Sequence, residues 1–433
     1  MLKSMSIGNF RSIKEQITLD LSKSNRKKGD LTHYVPIANT ELTTTAVIYG
    51  ANASGKSNLL RAFKALEYFV LNSAKLDPDD KSDIYEPFRL TKGFDKKPVS
   101  IELEFFIDQV KYVYSLTLGE KSVEHEKLLF FPLSKEAVLF NRTKGKEVQF
   151  GEYFKGEKKT IEKITLPNQL FLSKAAENNA ESILPVYQFF KNRLTVYPFS
   201  NQYDESGLEP LYAKRLADEP NSAFARKLNA LICALDTGIN AISAKETDWN
   251  SVKFPDSMSD TIRKKIQEDY KYEIKTVHEL FDETNKRSGI IDFDIDEEST
   301  GTRSLLSMGG IIIDALEKGS VLVIDEFEKN LHPIITSYLI KLFNEKLFNP
   351  KNAQLIFATH DITQLNEELF NRDQVWFTQK NEFGVTELIR CSDIKGLRLN
   401  APLDKWYVTG RLGGTAIIND TNFIMAMQED ISE

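Results

Sequence analysis

One short segment constrains the fold of this chain more than any other. An apolar run, Ala46-Val47-Ile48-Tyr49, is followed by Gly50-Ala51-Asn52-Ala53-Ser54-Gly55-Lys56-Ser57 and then by a helical stretch. This is G-x-x-x-x-G-K-[ST], matched at every fixed position, between a strand and a helix. Glycines let backbone N–H groups close around an anionic phosphate, and the helix N-terminus adds its dipole. The segment therefore predicts a phosphate loop that binds a nucleoside triphosphate.

The phosphate-loop pattern also assigns roles to single residues. Lys56 is expected to reach the β and γ oxygens, and the Ser57 hydroxyl is expected to ligate Mg²⁺. The predicted nucleotide contacts are Gly50, Asn52, Ala53, Ser54, Gly55, Lys56, Ser57 and Asn58.

Composition narrows the class of protein. The chain has 433 residues, 41% of them hydrophobic, which allows two domains or one elaborated domain. Its net charge of −7 argues against a surface that is basic all over and binds nucleic acid. A local basic patch is still possible. The run Arg26-Lys27-Lys28 favours a solvated loop, with nucleic-acid contact as the alternative. Cys233 and Cys391 lie far apart and imply neither a disulfide framework nor a zinc site.

The chain shows no membrane or export signal in its pattern. The N-terminus lacks a continuous apolar segment, and no stretch of about 18 uncharged apolar residues occurs. We therefore expect a cytoplasmic protein with no membrane contact.

The spacing of apolar residues changes along the chain. Alternating apolar residues predict an antiparallel strand pair in residues 1 to 20 and further antiparallel strands near 99–107, 111–118 and 127–131. From 168 onward the pattern becomes helical, and Ile262, Ile266, Tyr270, Ile274 and Leu280 predict an amphipathic helix over Thr261–Asn285. We predict three segments: lobe I over 1–167, a helical insertion over 168–289, and lobe II over 290–433.

A second strand carries two acids at its end. Val321-Leu322-Val323-Ile324 is an apolar run followed by Asp325 and Glu326. Such a strand edge can present one carboxylate to Mg²⁺ and the next to the attacking water, so Asp325 is the predicted metal ligand and Glu326 the predicted catalytic group.

Two further segments complete the predicted site. An apolar strand over 354–358 leads to His360, and the intervening Pro333–Phe348 provides one crossover helix, so this strand can lie parallel to the preceding one. We predict that His360 acts at the γ-phosphate. Upstream, Ser299, Gly301 and Thr302 open an apolar helix and form a second anion-binding terminus, with a simple helix cap as the alternative.

Taken in order, these segments resemble the head domain of ABC-type ATPases, in the branch containing SMC, RecF and OLD-nuclease proteins. Residues 50–57 stand as Walker A, Ser299-Thr300-Gly301-Thr302 as the signature, Asp325-Glu326 as Walker B and His360 as the switch histidine. Ile7–Ser12 looks like the opening strand and Glu328–Pro333 like the D-loop. The resemblance implies an α/β fold with a mixed antiparallel β lobe, a parallel P-loop core and an inserted helical subdomain.

The C-terminal segment adds a narrower resemblance, to stand-alone prokaryotic ATPases of abortive-infection and phage-defence operons. It covers Gln374–Phe377 through Lys405–Gly414. In such operons the partner gene often encodes a nuclease or another toxin. The aromatic residues of this segment, Trp376, Phe377, Trp406 and Tyr407, favour core packing, with a partner-docking lid as the alternative.

The chain also departs from the family pattern. Its signature lacks Leu-Ser-Gly-Gly-Gln, which argues against a transporter subunit. Gln169 is the candidate for the Q-loop. No D-x-D cluster of a metal-dependent nuclease follows His360, so an effector is expected on a separate chain.

The resemblance implies an ATPase that uses ATP and Mg²⁺ and assembles as a homodimer or higher homo-oligomer, because the signature of one copy completes the Walker A site of another. Our leading hypothesis is that this assembly senses infection or foreign DNA and controls a separate toxin or nuclease. One alternative is a RecF/SMC-like DNA-repair clamp, and another is an ATP-bound scaffold with little turnover. Arg11 is expected to be solvated, with contact to nucleotide or DNA as its alternative role.

Overall fold

The computed structural model describes residues 1–24, 33–197, 205–235, 237–250, 252–397 and 401–415, with positions 420, 424 and 427. The basic run at 26–28 lies outside these residues. The described strands are β1 (Leu2–Gly8), β2 (Ile17–Asp20), β3 (Tyr34–Ile37), β4 (Thr40–Thr43), β5 (Thr45–Gly50), β6 (Val99–Ile107), β7 (Val110–Leu118), β8 (Val123–Phe131), β9 (Ala137–Thr143), β10 (Gln149–Phe150), β11 (Leu194–Tyr197), β12 (Ala241–Glu246), β13 (Tyr272–Phe281), β14 (Arg287–Asp294), β15 (Val321–Ile324), β16 (Gln354–Ala358), β17 (Val375–Lys380) and β18 (Thr386–Arg390).

The described helices alternate with these strands. They are α1 (Lys56–Asn72), α2 (Lys158–Ile164), α3 (Phe171–Glu177), α4 (Leu184–Asn192), α5 (Glu205–Asp218), α6 (Ala223–Ala234), α7 (Asp260–Asp269), α8 (Thr300–Lys318), α9 (Pro333–Asn344) and α10 (Leu403–Val408). Within the described residues, no helix is long and apolar enough to cross a membrane.

The first lobe is built on an antiparallel sheet. Its strand order is β10-β9-β8-β7-β6-β1-β2, and the predicted pair at the N-terminus is β1 with β2. In the central strands, inward apolar residues alternate with wetter positions, as in β6, which has one face on the core. The buried face packs on α1, α3 and α4.

The second lobe is built on a mainly parallel sheet. Its strand order is β11-β15-β16-β5-β17-β18, with β18 antiparallel at one end. These strands are short and almost fully apolar because helices or loops cover both faces. The predicted α/β fold, with an antiparallel lobe and a parallel core, is confirmed.

The predicted helix over Thr261–Asn285 is wrong in its second half. Helix α7 ends at Asp269, and β13 follows, paired with β12 and β14 in a three-stranded antiparallel sheet. The misleading signal was a spacing of four residues, since Tyr270 and Ile274 share a helix face but also share a strand face. Pairing on both sides of β13, which buries Ile274 and Thr276 completely, decided for the strand.

The helical insertion is also more mixed than predicted. Strand β11, inside the segment 168–289, belongs to the parallel core and pairs with β15. The remainder does contain helices, including α5 and α6, which pack on α8. The three segment boundaries therefore stay a prediction.

The C-terminal aromatic residues mostly lie inside the protein. Trp376, Phe377 and Tyr407 are buried, and the rings of Phe377 and Tyr407 stack with centroids 5.7 Å apart. Trp406 is half-buried. Core packing, rather than an exposed lid, accounts for the three buried rings.

Candidate nucleotide site

The order of the parallel strands brings the predicted site together. Strand β16 lies between β15 and β5, so three parallel strands end at the same edge. Asp325 follows β15, His360 comes two residues after β16, and the phosphate loop follows β5. Ligands of parallel α/β sheets bind beyond the carboxyl ends of the strands, which is where these residues lie.

Lys56 occupies the centre of the phosphate loop. Its Nζ donates to the backbone carbonyls of Gly50 at 2.8 Å and Ala51 at 3.2 Å, and only 6% of the residue is exposed. Burial lowers the pKa of Lys56, against the opposing charges of Asp325 and Glu328. The ammonium is thus held by the loop's own oxygens, in a position from which phosphate oxygens can recruit it.

The loop backbone needs glycine at residue 55. Gly55 has φ +114°, and a Cβ there would lie 2.2 Å from Oγ1 of Thr386. Asn52 and Ala53 form the exposed tip of the loop, whereas Ser54 is buried and pairs with Thr378 at 2.7 Å. The loop is therefore open toward solvent at its tip and closed on its other side by β17 and β18.

A chain of hydrogen bonds links the loop to the N-terminal strands. The Thr386 hydroxyl donates to the Ser54 carbonyl at 2.8 Å and lies 2.8 Å from Ser12 Oγ. Asn58 Nδ2 donates to the same Ser12 oxygen at 2.7 Å. The side-chain amide of Asn58, predicted to contact nucleotide, thus donates a hydrogen bond that holds α1 to Ser12.

Arg11 lies at the end of this chain of bonds. It makes two 2.6 Å hydrogen bonds to the carboxylate of Glu86, and its Nη1 lies 3.5 Å from Asn58 Oδ1. The expected solvated arginine is instead half-buried and paired, next to the start of α1.

Asp325 is placed to hold a metal ion with Ser57. Burial raises the pKa of Asp325, and the neighbouring Ser57 hydroxyl and the charge of Lys56 oppose that shift. A carboxylate and a hydroxyl at the start of α1 are oxygen ligands of the kind that Mg²⁺ takes beside phosphate groups. The donor set fits the predicted Mg²⁺.

Glu326 and His360 are both exposed at this edge. Glu326 adopts φ +52°, a conformation that non-glycine residues seldom take and that is concentrated at functional sites. The backbone N–H of His360 donates to Oε1 of Glu328 at 2.6 Å.

The predicted signature residues lie at the N-terminus of α8. Ser299 is the cap: its Oγ accepts from the Thr302 backbone at 3.0 Å and lies 2.9 Å from the Thr302 hydroxyl. Thr302 is buried, whereas Ser299 is exposed. The cap alternative is thus realised within the chain, and contact of Ser299, Gly301 and Thr302 with the nucleotide of a second copy stays a prediction.

Gln169, the Q-loop candidate, and His332, within the segment that resembles a D-loop, have structural roles. Gln169 is buried and donates to the carbonyls of Ala74 and Leu76, which uses both of its amide hydrogens. This interior position corrects the Q-loop assignment. His332 caps α9 by accepting from the Ile334 backbone at 3.3 Å.

The C-terminal segment packs against the back of the phosphate loop. The Tyr407 hydroxyl donates to the Gly414 carbonyl at 3.1 Å, and the Tyr407 ring lies 5.7 Å from that of Tyr49, the residue just before the loop. A Cβ on Gly414 would lie 3.4 Å from the Cα of Gly50. Residues more than 350 positions away in sequence therefore fix where the loop begins.

Sequence reasoning missed the residues that support the loop. Thr378, Thr386 and Gly414 carry no local motif, because their importance comes only from strand order. Glu328 was identified from sequence only as the first residue of the segment that resembles a D-loop, with no role of its own.

A family model described as "AAA domain, putative AbiEii toxin, Type IV TA system" matches residues 46–366. No curated protein matches the chain by sequence.

Solved structures with a similar course of the chain include SMC heads. An SmcHead bound to the C-winged helix domain of ScpA is 12% identical with a TM-score of 0.45, covering 90% of this chain and 96% of that one. The SMC head domain from Thermotoga maritima is 13% identical with a TM-score of 0.38, covering 90% and 98%. An Smc head from Pyrococcus furiosus, bound to the C-terminal domain of ScpA, is 12% identical with a TM-score of 0.38, covering 90% and 95%.

Proposed function

Because the chain belongs to the AAA-domain family whose model it matches, we propose that it binds and hydrolyses ATP with Mg²⁺ and that ATP-dependent assembly of two or more copies controls a separately encoded effector. The observation that carries this proposal is the meeting of Lys56, Ser57 and Asp325 at one edge of the parallel sheet. A basic clamp, a hydroxyl and a carboxylate are the groups that a nucleotide triphosphate and its metal need.

Each residue of the site has a defined task in the proposed reaction. The bound nucleotide and Mg²⁺ supply the phosphoryl group and neutralise its oxygens. Lys56 leaves the loop carbonyls and binds phosphate oxygens, while Ser57 and Asp325 hold the metal. Glu326 orients the attacking water and accepts its proton, and His360 binds the γ-phosphate side.

The proposed assembly rests on the exposed start of α8. Ser299 faces solvent at a helix N-terminus, where backbone N–H groups and the helix dipole favour an anion. Gly301 presents bare backbone beside it. A second copy that brings its nucleotide to this terminus would be joined to the first through the γ-phosphate, and hydrolysis would release it.

Mixing two inactive variants tests the composite site. Lys56→Ala removes the phosphate clamp, and Ser299→Arg places bulk and charge where the partner's nucleotide enters. Each alone should abolish ATP-dependent dimers, measured by light scattering, and turnover. A mixed dimer has one site with both lesions and one intact site, so mixing should restore part of the turnover. Heterodimers that form without restored turnover would contradict independent composite sites.

The effector proposal has its own experiment. The family description refers to a type IV toxin–antitoxin system, and an ATP-controlled assembly suits a toxin that must be held or released. The chain is co-expressed with the product of the adjacent gene, and the purified complex is compared with and without added ATP. The stability of this complex should depend on Lys56. A complex of equal stability for wild type and Lys56→Ala would argue against control by ATP.

A further inference from the structure

The loop between β15 and α9 is fixed to the neighbouring strand at one point. Phe327 is fully buried, its backbone N–H donates to the Ala358 carbonyl at 3.2 Å, and its ring lies 5.0 Å from that of Phe357. This anchor holds the loop against the carboxyl end of β16, from which His360 follows. Glu328 directly follows the anchored Phe327.

The carboxylate of Glu328 is only half used. Its Oε1 accepts the backbone N–H of His360 at 2.6 Å, a short bond to a charged acceptor. Its Oε2 is enclosed and has no hydrogen-bond partner in the part of the chain that the structure describes. An enclosed carboxylate oxygen without a donor weakens the fold, so stability alone does not account for this arrangement.

A second buried carboxylate in the same chain shows the contrast. Both oxygens of Glu126 are satisfied, by the backbone N–H groups of Phe171 and Leu172, the Tyr114 hydroxyl and the Arg142 guanidinium. That is the pattern of a structural carboxylate, which joins β8 to the start of α3. Glu328 lacks it.

Glu328 faces the nucleotide side of the loop. Its charge acts on Lys56 and on Tyr49, the residue just before the phosphate loop. A few residues further along the same loop, Asn330 contacts the signature helix, with Nδ2 donating to Ser304 Oγ at 3.2 Å. One short loop therefore contacts the backbone of His360 and the signature helix, and it carries a carboxylate whose charge acts on Lys56.

We propose that Glu328 is a positioning residue for hydrolysis, which fixes the backbone at His360 so that the imidazole meets the γ-phosphate. The role rests on the proposed ATPase function. It requires the reach and the acceptor oxygen of a glutamate-length side chain, and it does not require the negative charge. Glu328 acts through His360 and touches no reacting atom itself.

Two conservative variants separate reach from charge. Glu328→Gln keeps the length and an acceptor oxygen, whereas Glu328→Asp keeps the charge but is one methylene too short. We expect Glu328→Gln to retain kcat within about threefold and Glu328→Asp to lose about tenfold or more, the range of a misplaced catalytic group. The Kd for ATP should change by less than about threefold in both, since no binding group is lost.

Two readouts test whether Glu328 acts through His360, and the first of them would not respond to a merely structural role. In His360→Ala, adding Glu328→Asp should cause no further loss of kcat, because residues that act as a unit are non-additive. Hydrogen exchange at the His360 amide should accelerate in Glu328→Asp and stay slow in Glu328→Gln. Asp282→Ala, which removes a carboxylate that accepts the Thr284 amide in a distant turn, is the control and should leave kcat unchanged.

The outcomes distinguish this role from the function on which it rests. Multiplying losses in the double variant, or a Gln variant as slow as the Asp variant, would overturn the positioning role while ATP hydrolysis by the wild type stands. A wild type that binds ATP without turnover would overturn the proposed hydrolysis, and with it this role. Loss of ATP affinity in proportion to kcat would assign Glu328 to binding instead.

Discussion

Replacement of Gly55 by alanine isolates the tertiary constraint on the phosphate loop. Gly55 has φ +114°, and an added Cβ would lie 2.2 Å from Oγ1 and 2.6 Å from Cγ2 of Thr386. Thr386 is only 1% exposed, and its hydroxyl is bonded to the Ser54 carbonyl, so it has no room to withdraw. We expect the left-handed backbone to cost about 1–2 kcal/mol and the overlap about 1–3 kcal/mol.

Gly93 provides the matched control. It has φ +83°, and an added Cβ would meet nothing within 4 Å. Gly93→Ala therefore carries the cost of the left-handed backbone but no cost from steric overlap. The gain from a stiffer unfolded chain is common to both substitutions and cancels in the comparison. Urea unfolding without nucleotide should therefore place Gly55→Ala about 1–3 kcal/mol below Gly93→Ala.

Nucleotide binding gives the second measurement on the same pair. If the loop shifts to relieve the overlap, ATP affinity should fall by about tenfold or more, since about 1.4 kcal/mol corresponds to a factor of ten. Gly93→Ala should bind ATP as the wild type does. Equal unfolding free energies and equal affinities for the two variants would refute the claim that Thr386 confines the loop.

Three further substitutions test the site. Asp325→Asn keeps an acceptor oxygen for the Ser57 hydroxyl. Because burial raises the pKa of Asp325 above 3.8, the wild type loses stability as pH rises through that raised value, and the variant should be the more stable of the two in metal-free urea unfolding toward pH 7. A variant that is less stable than the wild type at that pH would contradict this sign. Glu326→Gln should keep ATP binding and lower turnover by about 100-fold or more, whereas a change below about threefold would assign the water-orienting role elsewhere. Tyr407→Phe removes the bond to Gly414 and should cost about 1 kcal/mol with a few-fold weaker ATP binding in titration calorimetry; unchanged affinity would show that the C-terminal segment does not set the loop.

Local sequence was enough to place the elements that carry chemistry. The phosphate loop, the strand before Asp325 and the strand before His360 each follow from contiguous residues, because an apolar run, a glycine pattern and a helix start act within a few positions. The α/β fold and the resemblance to P-loop ATPase heads followed from the order of these segments, whereas the AAA-domain family came from the family model. The same local logic failed at β13, where residues four apart fit a helix face and a strand face equally.

The surroundings of the site came only from tertiary structure. Thr386 closes the phosphate loop and Tyr407 packs at its start, yet neither contact follows from sequence neighbours, because only the tertiary fold brings residues more than 300 positions apart together. The interior position of Gln169 likewise removed it from the site, and the pairing of β11 with β15 placed that strand in the core sheet. The sequence by itself determined which groups can bind a phosphate and a metal; the packing of strands around them decided which other residues hold those groups in place.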